Sequence, residues 1–255
     1  MYKAFDVKLN LEDFTEGYSF YYNYNALKKE AYEKLKKLIN SEAEIKAEKI
    51  KELIMPNKQG FDIFISHSHK DVELAKRLAG CIEKELGLKC FIDSLYWGNI
   101  DVLQEELNEK HRDKETKRFD HQKTMEVAKH ANMILASALT EMIDKSECVF
   151  FLNTDNSVIP GKDALELNQT YSPWIYHEVY TTSIIKIEPP CRYKDGLNER
   201  FEAKDSAAKD ISTITYGLDL SNMRKLGIIK LLEWEKETKS SINQEPLDIL
   251  YKITK

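Results

Sequence analysis

Residues 61–93 read FDIFISHSHKDVELAKRLAGCIEKELGLKCFID, and their apolar pattern changes twice along the stretch. FDIFIS is a short β-branched and aromatic run, which is typical of a strand. Residues 71–86 have the spacing of an amphipathic helix that Gly87 ends, and LKCFID at Leu88–Asp93 is a second strand-like run. Strand, helix and strand in this order predict a parallel sheet with the helix on one of its faces.

The downstream segments extend this pattern. The charged stretch Glu105–Asp120 predicts an exposed insertion or a projecting helix, and the apolar spacing from Met125 to Ile143 predicts another helix. CVFFLN at Cys148–Asn153 is continuously apolar, which predicts a third strand that is buried on both faces. The sequence therefore predicts an α/β fold around a central parallel sheet.

The 255 residues suffice for one large domain with a sizeable appendage. We predict an N-terminal aromatic arm and helical extension at 1–57, an α/β domain at 58–190, and a C-terminal extension at 191–255 that packs on this domain. The arm contains the aromatic run YSFYYNYN, whose rings either pack on the domain or form a subunit interface. Residues 26–53 predict an amphipathic helix or helix pair, and residues 211–220 predict a late strand.

Composition excludes several classes of protein. The 38 basic and 43 acidic residues give a formal net charge of -5, which argues against a broad nucleic-acid-binding surface. The mean hydropathy is -0.52, and neither a membrane-spanning stretch nor a secretory signal is visible. The 4 cysteines are widely spaced without a CxxC pair, so we expect reduced and mostly buried thiols. A cytoplasmic protein without membrane or nucleic-acid partners is expected.

SHSHKD, at residues 66–71, follows the first predicted strand. Ligands gather at the carboxyl edge of open α/β sheets, so polar residues there are candidates for chemistry. His67, His69 and Asp71 resemble part of the metal site of metallo-β-lactamase-type hydrolases, although Val72 stands where that motif has a further histidine. The alternative is a plain turn into a helix that is capped near Asp71.

SPWIYHEVYTTSII, from residue 172, predicts another helix, with Ser172 as N-cap and Pro173 in the first helical position. Trp174 and Glu178 lie one turn apart on the same side of this helix. Spacing alone leaves Glu178 as either a surface carboxylate near the helix N-terminus or a catalytic group.

Four pieces of the sequence, FDIFISHSHKD, FIDSLYWG, ALTEMIDKSECVFFLNT and SPWIYHEVY, resemble in order the Toll/interleukin-1 receptor (TIR) domain. The resemblance covers roughly residues 60–187, so the predicted α/β domain at 58–190 corresponds to the TIR domain. The chain resembles bacterial stand-alone TIR proteins, including those of the antiphage-defence, Thoeris-like type. Its stretch after Trp97 and its loop before Ser172 are longer than those of compact TIR domains.

This resemblance implies a flavodoxin-like fold and, in the enzymatic branch of the family, cleavage of NAD between nicotinamide and ribose. The catalytic glutamate of the Ser-x-Trp-x-x-x-Glu pattern falls on Glu178. Trp174 is expected either to form the pocket wall or to pack in the core. The other substrate-binding residues that the resemblance implies are Ser66, His67, Asp93, Tyr96 and Trp97, the last three opening the loop after the second strand.

The resemblance also implies how the protein acts. NAD is the substrate, no cofactor is expected, and NAD is either depleted or converted to an ADP-ribose-derived signal that a downstream effector senses in antiphage immunity. TIR domains are expected to self-associate. Two alternatives stand beside this reading: a non-enzymatic TIR interaction module that signals by self-association, and the metal-dependent hydrolase suggested by His67, His69 and Asp71.

Overall fold

The computed structural model describes residues 1–14, 24–41, 45–54, 60–113, 115–161, 166–193, 214–241 and 243–255, without the side chains of 24–29, 31, 54 and 96–99. The chain divides into two compact units. The first combines Met1–Tyr21, Gly60–Ile92 and Ile143–Lys255, and the second combines Tyr22–Gln59 and Asp93–Met142. In the described part of the chain, no helix combines the length and apolarity that a membrane crossing requires.

The first unit is built on a five-stranded sheet in which every pair of neighbours is parallel. Its strands and those of a small antiparallel pair, β5 with β6, are β1 (Lys3–Lys8), β2 (Ile63–Ser66), β3 (Cys90–Ile92), β4 (Cys148–Leu152), β5 (Asn168–Thr170), β6 (Tyr216–Leu218) and β7 (Arg224–Gly227). The large sheet has the order β3-β2-β4-β1-β7. This α/β architecture is consistent with a flavodoxin-like fold and confirms the predicted fold class.

One position of the sheet is filled in an unusual way. In the flavodoxin-like order 2-1-3-4-5, the fourth position belongs to the fourth strand along the chain. Here the N-terminal strand β1 occupies it, between β4 and β7. The predicted N-terminal arm therefore supplies an internal strand, and the predicted C-terminal extension supplies the edge strand β7.

Helices surround the sheet and build the second unit. They are α1 (Tyr24–Ser41), α2 (Ala47–Ile54), α3 (Val72–Leu86), α4 (Ser94–Lys110), α5 (His121–Lys145), α6 (Pro173–Ile184), α7 (Ile228–Ser240) and α8 (Pro246–Ile253). The helix predicted after the first strand is confirmed, and the helix or helix pair predicted at 26–53 is the pair α1 and α2. The late strand predicted at 211–220 is confirmed as β6, and residues 211–213 lie outside the described residues. Of the aromatic run in the arm, residues 18–23 and the side chain of Tyr24 lie outside the described residues.

Aromatic rings form the core on one face of the sheet. Phe5 and Phe150 are fully buried, and their ring centroids lie 5.3 Å apart with the rings nearly perpendicular. The rings of Trp234 in α7 and Phe150 meet edge to face, with their centroids 6.1 Å apart. The indole N–H of Trp234 donates to Pro246 O. A buried aromatic cluster of this kind contributes a large share of the hydrophobic stabilisation.

The cysteines conform to the sequence expectation of mostly buried thiols. Cys81, Cys90 and Cys148 are buried and Cys191 is exposed, and all are free. Burial raises the pKa of the Cys90 and Cys148 thiols well above the usual value. These two groups are therefore uncharged at neutral pH and serve as small apolar core residues.

The second unit is a helical assembly in which α1 contacts α2 and α4. Lys36 pairs with Glu106 at 3.2 Å, and Lys51 pairs with Glu141. The prediction of a loop after the second strand was wrong, because α4 begins at Ser94, directly after β3. The charged stretch predicted as an insertion or projecting helix is the end of α4 followed by residues 111–120, which are exposed apart from Lys114, a residue outside the described part of the chain.

Candidate active site

After β2 and after β4 the chain continues toward opposite sides of the sheet, so the carboxyl ends of these two strands form a topological switch point. From β2 the chain passes through α3 to β3, whereas from β4 it crosses to β7 on the opposite side of the sheet. When the chain leaves two adjacent strands in opposite directions, a crevice opens at their carboxyl ends. Ligands of open α/β folds bind in this crevice. This carboxyl edge is the candidate site.

Ser66 and His67 stand at the end of β2 within this edge. Ser66 is 0% exposed, and its hydroxyl has no hydrogen-bond partner among the described residues. The next residue, His67, is also buried, and its Nδ1 lies 3.3 Å from the carbonyl oxygen of Ile65. A buried hydroxyl without a partner is uncommon in folded proteins, so Ser66 is a good candidate to contact a ligand.

Asp71 joins the turn after β2 to the loop after β4. Its carboxylate accepts hydrogen bonds from Thr154 Oγ1 at 2.5 Å and from Asn156 Nδ2 at 2.7 Å. Asp71 precedes the first residue of α3, but its side chain makes no capping hydrogen bond to that helix. Its role is therefore to fix two loops of the carboxyl edge relative to each other.

A second polar link at this edge involves Asp6, a residue that no sequence motif marks. Asp6 lies in β1, is 6% exposed, and accepts a 2.8 Å hydrogen bond from Asn153 Nδ2. Asp6 and Ser66 are both in register with Phe151 of the intervening strand β4. Since neighbouring strands are about 4.8 Å apart, the two residues lie about 10 Å from each other across the sheet.

The face on which these residues lie follows from the register. Phe150 points toward α7, because its ring contacts Trp234. Side chains alternate along a strand, so Phe151 points to the opposite face, and Ser66 and Asp6 share that face with it.

The handedness of the chain connections assigns helix α6 to this second face. Since α3 contacts α7, these two helices share the Phe150 face. The crossovers from β2 to β3 and from β4 to β7 run in opposite directions, so right-handed connections place α6 on the face opposite α3.

Glu178 lies on the buried side of α6 and is 1% exposed. The helix begins as predicted, with Pro173 in its first turn and Ser172 Oγ accepting a hydrogen bond from Ile175 N at 3.2 Å. Just beyond the helix, Glu188 N donates to Met1 O at the amino edge, so α6 runs from the carboxyl edge back to the amino edge. Glu178 lies about 7.5 Å along the helix axis from its start, among the buried residues of α6.

Trp174 lies one turn before Glu178 and is half-buried. Its ring lies 6.5 Å from the ring of His177 in an edge-to-face arrangement. Partial burial leaves the indole neither wholly in the core nor wholly in solvent, which suits a residue on the wall of a crevice.

The remaining predicted residues belong to the second unit. Asp93 precedes the first residue of α4 and is 2% exposed. Tyr96 and Trp97 lie in the first turn of α4, and their side chains are outside the described residues. Of the predicted residues, Ser66 and His67 thus lie at the carboxyl edge with Asp6 and Asp71, and Trp174 and Glu178 lie on helix α6.

The metal-site alternative finds no support in the arrangement of side chains. His69 and Asp71 form a short 3-10 turn, and both oxygens of Asp71 already accept hydrogen bonds. Within the described ranges, no group of three or more His, Cys, Asp or Glu side chains is placed to hold a metal ion.

The site thus belongs to an α/β protein with a parallel sheet, whose buried polar residues line the carboxyl edge. Comparisons with protein-family models, with curated proteins and with solved structures gave no match to this chain. The residues of the site and the sequence motifs therefore carry the information about its chemistry.

Proposed function

We propose that this protein cleaves NAD at the bond between nicotinamide and ribose, with Glu178 as the catalytic carboxylate. The observation that carries the proposal is the placement of Glu178: a carboxylate that is 1% exposed, on a helix that starts at the carboxyl edge of the sheet. Acidic side chains are rarely buried without a structural or functional reason. The resemblance of the surrounding motif to the TIR family supports the same residue.

The chemistry suits a single carboxylate. As the bond between C1′ of the ribose and the pyridinium nitrogen breaks, the electron pair stays with nicotinamide, which leaves as a neutral molecule without needing an acid. Positive charge develops on the ribose, and Glu178 stabilises this oxocarbenium-like state by its negative charge and by hydrogen bonds to the ribose hydroxyls. The nucleophile that then adds to C1′ and loses a proton is either water or a group of the same ADP-ribose molecule.

The other residues of the carboxyl edge have supporting roles in this proposal. The buried Ser66 hydroxyl donates to an oxygen of the nucleotide, and His67 borders the same position. Trp174 forms a wall against which a planar ring packs. Asp71 touches no substrate in this scheme and acts as a positioning residue, because it holds the two loops that flank the crevice.

The biological setting rests on the family resemblance. In that setting the enzyme is cytoplasmic, assembles through its TIR domain, and depletes NAD or supplies an ADP-ribose-derived signal to an effector during antiphage immunity.

A scaffold function is the second candidate, and one observation favours it. The rings of Tyr176 and Tyr180 stack at 5.8 Å, and Tyr176 stacks on Tyr216 at 5.0 Å. Tyr180 and the nearby Ile184 are 44% and 60% exposed. Exposed aromatic and apolar side chains that adjoin one another are typical of association surfaces. A pure interaction module would assemble without releasing nicotinamide.

The test is incubation of concentrated protein with NAD, followed by chromatography and mass analysis of every adenine-containing product. We expect nicotinamide release by the parent protein and a loss of at least about 100-fold in Glu178→Gln, since Gln keeps the shape but not the charge. Glu188→Gln is the matched control, because Glu188 follows the same helix but is exposed, and its activity should equal that of the parent.

Circular dichroism and thermal melting should be the same for both variants. Equal nicotinamide release by the parent and Glu178→Gln would remove Glu178 as the catalyst. A parent protein that assembles in sedimentation experiments but releases no nicotinamide would favour the scaffold function instead.

A further inference from the structure

A cleft of about 310 Å³ opens at the amino edge of the sheet, opposite the candidate active site. Lys3 at the start of β1 and Arg224 at the start of β7 contribute to it, together with residues of α8. We call it the amino-edge cleft, and its lining residues are Tyr2, Lys3, Tyr193, Arg224, Gln244, Asp248, Tyr251, Lys252 and Lys255.

Positive charge dominates this lining. Four of the lining side chains are cationic, whereas Asp248 is the acidic one. Asp248 already pairs with Arg192, whose Nε and Nη2 lie 2.7 Å and 2.6 Å from its Oδ1. The whole chain has a net charge of -5, so this concentration of cations is a local feature. A cleft with such an excess attracts anions.

Tyrosine rings form the other part of the lining. The ring centroid of Tyr2 lies 5.7 Å from that of Tyr193 and 5.1 Å from that of Tyr251, whose ring it meets edge to face. Burial raises the pKa of Tyr193 to about 12 and raises that of Tyr251 further. Both phenols are therefore neutral at physiological pH and subtract nothing from the positive charge. Tyr193 keeps 37% of its surface exposed, so its ring is accessible to a ligand.

The size of the cleft limits the ligand. Sites for small organic molecules usually have volumes of about 300–1,000 Å³, so a cleft of about 310 Å³ lies at the small end of the range. It suits a ligand with one aromatic ring system and one phosphate group and is too small for a dinucleotide such as NAD.

We propose that the amino-edge cleft binds a small aromatic phosphate of the size of a nucleoside monophosphate. Lys252, Lys255 and Arg224 hold the phosphate, and the ring packs against the tyrosines. This site is distinct from the carboxyl edge, and the proposal does not depend on the NAD-cleaving function.

Adenosine 5′-monophosphate is the probe, with adenosine and inorganic phosphate as comparison ligands in equilibrium dialysis against the full chain. We expect saturable binding of the monophosphate that weakens between 50 and 300 mM salt, because exposed charges are screened. Lys252→Gln should weaken it by about fivefold, as expected for the loss of one exposed ionic contact. Lys252 is exposed, so the variant should fold normally, and its melting curve checks this.

Two controls locate the binding. Lys236→Gln removes an exposed lysine of α7 that does not line the cleft and should leave the affinity unchanged. Glu178→Gln should also bind like the parent, which separates this cleft from the candidate active site. The proposal is overturned if the monophosphate does not bind saturably, if Lys252→Gln binds as tightly as the parent, or if inorganic phosphate binds equally well.

Discussion

Asp71 illustrates how a single side chain can organise the carboxyl edge. Both of its oxygens accept hydrogen bonds from the loop after β4, through Thr154 and Asn156. Asp71→Asn removes the negative charge and replaces one accepting oxygen with an N–H donor, while the shape of the side chain is kept. We expect the free energy of unfolding to fall by about 1–2 kcal/mol, which urea denaturation would measure.

Asp155→Asn is the matched control for this substitution, because Asp155 lies in the same loop but is exposed. Its effect should stay within about 0.5 kcal/mol. Equal stability of Asp71→Asn and the parent would contradict the role assigned to Asp71. If NAD cleavage is established, Asp71→Asn should raise KM more than it lowers kcat, because the residue positions the loops without touching the reacting atoms.

At the scale of residues, the sequence predicted the position of a side chain where a local motif marked it. Ser172 and Pro173 predicted the start of α6, which in turn placed Trp174 and Glu178 one turn apart on the helix. Asp6 had no such motif. It lies within KAFDVK, and only the register with Phe151 reveals that this carboxylate reaches the carboxyl edge. Contacts between residues so distant in sequence leave no local pattern.

At the scale of elements, β1 is an internal strand that comes from the predicted N-terminal arm. It lies between β4 and β7, and its Phe5 is fully buried against Phe150. Phe5→Ala removes a buried ring and leaves a cavity, so we expect it to lower the free energy of unfolding by about 3–5 kcal/mol. Urea denaturation followed by circular dichroism measures this loss.

Leu11 provides the comparison for Phe5, since it follows the same strand but is 42% exposed. Leu11→Ala should change the free energy of unfolding by no more than about 0.5 kcal/mol. A small effect of Phe5→Ala, similar to that of Leu11→Ala, would mean that the N-terminal segment is a dispensable arm rather than an internal strand.

The strands that the sequence predicted differ in composition from those it missed. FDIFIS, LKCFID and CVFFLN are mainly apolar, and the strands they contain are buried along their length. β1 contains two lysines and an aspartate, and β7 reads RKLG at the edge of the sheet. Four residues with one apolar side chain carry too little periodicity to predict a strand. Whether such a segment forms a strand depends on its pairing with a neighbouring strand.

At the scale of the whole molecule, the amino edge of the sheet joins three distant parts of the chain. Arg192 Nη1 donates to Glu147 Oε2 at 2.8 Å, and its Nε donates to Asp248 Oδ1 at 2.7 Å. Tyr251 adds a hydrogen bond from its hydroxyl to Glu147 Oε1. One guanidinium therefore connects the residue before β4, the segment after α6, and helix α8. Pairing with both carboxylates, with Glu147 the larger contribution, raises the pKa of Arg192 above its usual value.

This network should stabilise the fold because it is sheltered and bidentate. The Arg192 side chain is 29% exposed, whereas the chemically similar cluster of Lys239 with Glu85 and Glu235 has a lysine that is 49% exposed. Arg192→Gln should lower the free energy of unfolding by about 2 kcal/mol, since charge-assisted hydrogen bonds to two carboxylates are lost together. Arg192→Lys should recover only part of this, because an ammonium cannot reproduce the planar fork. Lys239→Gln should leave the urea midpoint nearly unchanged, and equal effects of Arg192→Gln and Lys239→Gln would contradict a stabilising role for the amino-edge network.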